Sequence, residues 1–184
     1  MRKITFLLLI CSLLMIKKGL AQELAVQREV LCFDKGWSFH LCDIPFPVVR
    51  GHSASYRNAK AGHAGGAAAP GYDDSSWHVL DLPHDWAIEG SVDPEANLSQ
   101  GYYKRGIGWY RRKFKLLPED KGKHIELQFD GIATHATVWV NGTLLHRNWC
   151  GYTSMYIDVT PYVTYGDRVN TVVVRVDADA QEGW

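Results

Sequence analysis

Three sets of residues have the types and spacing to do chemistry. His84 and Asp85 follow Pro83 at the end of the apolar run Val79-Leu80-Asp81-Leu82. Polar side chains at a strand end are where a rigid scaffold presents groups to a ligand. Two readings of each residue stay open. Asp85 either meets a ligand or caps the following turn through Ile88 or Glu89, and His84 either stands beside it or is a surface residue. Trp149 and Tyr152 flank Cys150 and offer ring faces for stacking, or belong to a plain loop. Cys32, Cys42 and Cys150 allow at most one disulfide. Cys32 with Cys42 would close a small loop across Phe33 to Leu41, and buried thiols are the alternative. No Cys/His cluster has the spacing of a zinc site, and no cofactor is implied. Asn97-Leu98-Ser99 and Asn141-Gly142-Thr143 fit the glycosylation pattern, but Asn141 already has a place in a turn.

The elements that must position these groups are strands. The stretch Phe129 to Gly151 alternates through Ala136, Val138 and Val140, breaks at Asn141-Gly142 and resumes through Leu144 or Leu145. Asn-Gly tolerates positive φ at both central residues of a type I′ turn, so this is a β-hairpin. Trp139 points opposite to Val138 and Val140, which gives the hairpin two apolar faces and a need for cover. Further strands are expected at Val30 to Phe33, Gly36 to Leu41, Val79 to Leu82, Trp109 to Leu116, Ile125 to Phe129, Tyr152 to Ile157 and Val169 to Val176. In Trp109 to Leu116, Arg111, Lys113 and Lys115 share a face expected to be solvated. Trp109 and Tyr110 divide between the two faces, so one of them is expected to be exposed. Trp37, Trp77, Phe129, Trp139 and Tyr162 are expected in the core. Ser53 to Gly71, rich in Ala, Gly and Ser without periodicity, reads as an exposed flexible loop. Asp73 to Trp77 reads as a capped turn anchored by its Trp. Eight or nine short strands without an amphipathic helix of ten residues predict an all-β antiparallel β-sandwich, jelly-roll or Greek-key.

The chain of 184 residues has a formal net charge of +0 and no basic stripe, which argues against a nucleic-acid partner. Its 46% hydrophobic content, with seven Trp and nine Tyr, supports one well-packed domain. Residues 1 to 21 are laid out as a secretory signal. Basic Arg2 and Lys3 precede an apolar stretch Ile4 to Ile16 and the small-residue site Gly19-Leu20-Ala21. Cleavage after Ala21 predicts a periplasmic or secreted domain over 22–184 with no membrane attachment, and a retained anchor is the alternative. The abrupt end at Glu182-Gly183-Trp184 is expected to truncate the domain.

Five stretches in register, WHVLDLPHDW (77–86), GIGWYRRKF (106–114), FDGIATHATVWVNG (129–142), GYTSMYIDVTPY (151–162) and NTVVVRVD (170–177), resemble the N-terminal sugar-binding domain of glycoside hydrolase family 2, in its β-galactosidase-like branch. The resemblance covers roughly residues 30 to 184. It implies a jelly-roll of the galactose-binding-like kind, followed in full-length members by an immunoglobulin-like domain and a catalytic (β/α)₈ barrel. It also implies a retaining exo-glycosidase with two carboxylates about 5 to 5.5 Å apart. Those carboxylates belong to a barrel of about 250 residues that this chain cannot contain, so it has no catalytic residue of its own to nominate. Asp85 and His84 are the substrate-binding candidates, at the rim of a pocket for a terminal β-linked sugar shared with that downstream barrel. Trp149 and Tyr152 are candidates for stacking on a saccharide.

Three functions compete on this basis. The chain is the non-catalytic part of a secreted glycosidase of terminal β-galactosides, a free-standing carbohydrate-binding module, or a plain interaction sandwich. Substrate sugar and oligomeric state are not fixed by the residues.

Overall fold

The structure, a computed structural model, describes residues 28–96 and 101–179. Eight strands are formed among the described residues: β1 (Trp37–Leu41), β2 (His78–Leu80), β3 (Ile107–Phe114), β4 (Glu126–Phe129), β5 (His135–Val140), β6 (Thr143–Asn148), β7 (Met155–Asp158) and β8 (Asn170–Asp177). Two short helices, α1 (His52–Asn58) and α2 (Trp86–Glu89), lie in connections. All strand pairings are antiparallel. Six strands form a sheet in the order β2-β1-β3-β8-β5-β6, and β4 pairs with β7 as the second layer of an all-β sandwich. The expected signal segment 1–21 and the Asn97-Leu98-Ser99 site lie outside the described residues.

The organising hairpin follows its turn chemistry. Asn141 and Gly142 take φ of 49° and 76°, as a type I′ turn demands. The Asn141 amide is then fully used. Its Nδ2 donates to Tyr162 O at 2.7 Å and Asn170 Oδ1 at 2.8 Å, and its Oδ1 accepts from Thr171 N at 2.9 Å. Asn170, itself buried, closes the network by bonding both backbone groups of Thr164. A turn residue has become the clasp between the hairpin, β8 and the connection before it.

Both faces of the large sheet are buried, because alternation along β5 and β8 is apolar on each side. One face carries Ala136, Val138 and Val140 against Val176, Val174 and Val172 in register. The other carries Trp109, Trp139 and Val173, which pack with Trp77, Ala67 and Ala68. The indoles of Trp109 and Trp139 stack with centroids 5.8 Å apart.

That second face is covered by the later part of the stretch that the sequence presents as an exposed flexible loop, around 64–69, while residues 55–61 are exposed as expected. Ala67 and Ala68 lie in a buried 3₁₀ turn over the two indoles, and α1 stands within the same connection. Small side chains without periodicity are what a backbone needs to lie flat on tryptophan rings. Arg111 ties it down, and so corrects the expectation of a solvated arginine. It is 0% exposed, with its guanidinium donating to the carbonyls of Ala67, Ala69 (3.0 Å), Pro70 (3.3 Å) and Tyr72 (3.5 Å). Its Nε donates to Asp74 Oδ2 at 3.3 Å, and Lys113 holds the other Asp74 oxygen at 2.7 Å.

Other expectations are corrected too. Residues 28–33 form no strand, and Val30 and Leu31 are exposed, so their apolar run has no face to bury. Trp109 and Tyr110 are both buried, since both faces of β3 are covered, whereas Tyr162 is 39% exposed rather than in the core. Cys32, Cys42 and Cys150 are thiols at the surface, neither disulfide-bonded nor buried.

Candidate functional site

Strand β2 ends at Leu80, and the chain passes through Leu82 and a cis Pro83 into His84 and Asp85. Asp85 takes extended backbone angles and is the N-cap of α2, where its Oδ1 accepts from Ala87 N at 3.0 Å. The cap of the following turn is therefore real, though it runs through Ala87 rather than Ile88 or Glu89. Asp85 is nonetheless exposed and makes no other hydrogen bond or ion pair among the described residues. Its second oxygen is available to a ligand.

His84 is turned inward, with a side chain only 7% exposed. Its ring stands edge-on to Phe39 at 4.6 Å, and its Nδ1 lies 2.7 Å from the Tyr110 hydroxyl while Nε2 lies 3.2 Å from Glu89 Oε1. An ionised Glu89 can only accept, which assigns the proton to Nε2 and leaves Nδ1 to accept from Tyr110. Tyr110 suits that role. Burial first, and then the negative charges of Asp85 and Glu89, push its hydroxyl well above the ordinary range and keep it protonated. Both ring nitrogens of His84 are thus engaged, leaving neither for an outside hydroxyl.

The rest of the platform is aromatic. Trp86 stacks on Phe39 at 5.7 Å and tilts against Tyr110 at 6.2 Å. Gly108 opposite them is required, since a Cβ there would come within 2.9 Å of both the Phe39 and Trp86 rings. Phe39, His84, Trp86 and Tyr110 form one packed block that fixes the backbone at Asp85. The strand end nominates His84 and Asp85 as candidates, whereas Tyr110 and Glu89, which close on the imidazole, carry no such local signal. Tyr110 reaches the site only through the pairing of β1 with β3, where it faces Phe39. Nothing local in the sequence announces that.

Trp149 and Tyr152 are both exposed; Trp149 directly follows β6 and Tyr152 lies in the turn after it. They are not part of the block around Asp85. Trp149 rests against His135 instead. No group of three or more His, Cys, Asp or Glu among the described residues is placed to hold a metal ion.

Comparison with known proteins places this arrangement in context. Residues 79–184 match the glycosyl hydrolase 2 galactose-binding domain-like family. The chain is 36% identical over 159 residues to the beta-galactosidase BoGH2A of Bacteroides ovatus, covering 85% of this chain and 16% of that protein. Among solved structures it is similar to a beta-glycosidase from Bacteroides vulgatus, with a TM-score of 0.66 and 34% identity, over 82% of this chain and 17% of that one. It is also similar to a Bacteroides uniformis beta-glucuronidase 2, with a TM-score of 0.65 and 29% identity, over 84% of this chain and 15% of that one. The chain therefore spans about a sixth of the length of such relatives.

Proposed function

The chain belongs to the glycosyl hydrolase 2 galactose-binding-like domain family, and from that membership we propose that it is the non-catalytic N-terminal domain of a secreted retaining exo-glycosidase acting on terminal β-galactosides. The nucleophile and acid then lie in a downstream barrel, and this domain supplies part of the rim around the terminal sugar. Asp85 is the residue that reads the sugar, and His84 is the residue that positions it.

The observation that carries this reading is the single unengaged carboxylate oxygen of Asp85 on a backbone immobilised by the His84, Tyr110 and Trp86 block. A hydrogen bond from a sugar hydroxyl to that carboxylate contributes about 1.5–3 kcal/mol when water is excluded. A second reading, a β-glucuronidase, is favoured by the likeness to the Bacteroides uniformis enzyme. The charge on Asp85 weighs against it, since an anionic rim repels the carboxylate of a glucuronide.

The test compares the full-length protein and its Asp85→Asn variant on 4-nitrophenyl β-galactoside and β-glucuronide. The galactoside should be the better substrate, and the variant should lose at least about tenfold in kcat/KM on it. Asn caps a helix as well as Asp does, so the melting temperature should hold. A preferred glucuronide, or an unchanged kcat/KM, would reject the reading.

A further inference from the structure

An open groove of about 820 Å³ lies on the sheet face that carries Trp139, and none of its lining comes from the block around Asp85. That volume falls within the range of ligand clefts, roughly 300–1,000 Å³. The floor is a row of polar side chains set by strand register. Arg147 on β6 stands opposite Thr137 on β5, Thr137 opposite Arg175 on β8, and one pair along His135 stands opposite Asp177.

Its centre, Arg175, is preorganised. Arg175 forms a two-point fork with Asp43, Nε to Oδ1 and the terminal nitrogen to Oδ2, both at 3.0 Å. It also lies 3.6 Å from Asp177. Asp43 accepts from the Trp109 indole at 3.1 Å. The hydrogen bond from Arg175, outweighing burial, holds the Asp43 carboxyl below its ordinary range.

At the rim stands Trp149, 63% exposed, with its indole braced edge-on by His135 at 4.7 Å and 71°. An exposed tryptophan braced on one edge beside planar hydrogen-bonding groups is the chemistry that recognises a sugar. The C–H face of a pyranose lies on the ring, and its hydroxyls meet the planar charged groups.

Charge narrows the class. The groove is lined by three cations, Lys60, Arg147 and Arg175, and two carboxylates, Asp43 and Asp177. Both carboxylates are drawn to Arg175. Arg147 is exposed and has no ion pair among the described residues. We infer that this groove binds an acidic oligosaccharide, one sugar stacked on Trp149 and a carboxylate or sulfate of the chain against Arg147. The inference stands on the groove alone and does not depend on Asp85.

Calorimetric titration of the full-length protein with tetragalacturonate and with neutral cellotetraose tests it. Tetragalacturonate should bind at least about tenfold more tightly at low salt, with the gap narrowing as salt is added. Arg147→Gln and Trp149→Ala should each weaken tetragalacturonate by about tenfold, while hydrolysis of a small aryl glycoside is unchanged. The inference is overturned if tetragalacturonate gives no heat, as it would if another part of the protein covers the groove. Equal affinity for the two probes, or binding indifferent to both substitutions, overturns it as well.

Discussion

Replacing Arg111 by Met tests the claim that a buried guanidinium holds the Ala/Gly-rich connection on the sheet. The methylene stem is roughly kept, so the loss is mainly polar. The guanidinium serves four carbonyls between Ala67 and Tyr72 and the Asp74 carboxylate, all from a side chain with no exposed surface. Breaking a buried ion pair by removing one partner costs about 3–5 kcal/mol. Lys113 still holds one Asp74 oxygen and three of the four carbonyl contacts are only part-buried, which puts the expected cost near the lower end, about 3 kcal/mol. At 1.4 kcal/mol per tenfold that is roughly a hundredfold in the local opening equilibrium. Hydrogen–deuterium exchange followed in peptides spanning 64–74 reads this directly. Exchange accelerated by about a hundredfold in that segment is the expected result. Acceleration of less than about threefold would refute the reasoning, since the carbonyls would then be satisfied without Arg111. Arg111→Lys should fall between, because a single ammonium cannot reproduce the planar fork.

Two further outcomes follow from the same networks. Asn141→Ala removes three hydrogen bonds and puts a non-glycine residue other than Asn at a φ of 49°, so chemical denaturation should show a loss of about 3 kcal/mol; a loss below about 1 kcal/mol would contradict the clasp. Asp74 titrates below its ordinary 3.8, because burial, which pushes it up, is outweighed by the Lys113 hydrogen bond and the Arg111 charge. A carboxylate so depressed contributes stability that is full above 3.8 and lost as pH falls through its lower folded value. The stability advantage of the wild type over Asp74→Asn should therefore be level above pH 3.8 and shrink below it, and an advantage that does not change with acid would contradict this.

Local chemistry and periodicity carried much of the fold. The Asn141-Gly142 turn, the alternation of β5 and the β-branched run of β8 are signals within a few residues, and each produced the expected strand or turn. The cap at Asp85, one of the two readings open for that residue, is also local, although its partner is Ala87 rather than Ile88 or Glu89. What sequence could not convey depends on partners brought from far along the chain. Arg111 reads as half of a surface pair until the register of β3 with β8 places it under Ala67, which no spacing links to it. Ser53 to Gly71 reads as exposed throughout, which holds for 55–61, but the segment around Ala67 and Ala68 packs on Trp109 and Trp139 with backbone and small side chains, which leave no periodic mark. A strand end nominates both His84 and Asp85 as candidates, but which one faces outward depends on Tyr110 and Glu89 closing on the imidazole. The polar row beneath Trp149 is likewise a product of register across β6, β5 and β8.

The claim on which the functional account rests is that the Asp85 carboxylate touches a hydroxyl of the terminal sugar. The most direct measurement is a cycle of kcat/KM for the full-length protein and its Asp85→Ala variant, on an aryl β-galactoside and on its monodeoxy analogues. For one hydroxyl position the two losses should be strongly non-additive, with a coupling of about 1.5 kcal/mol or more. Losses that add at every position would mean that Asp85 and the sugar never meet.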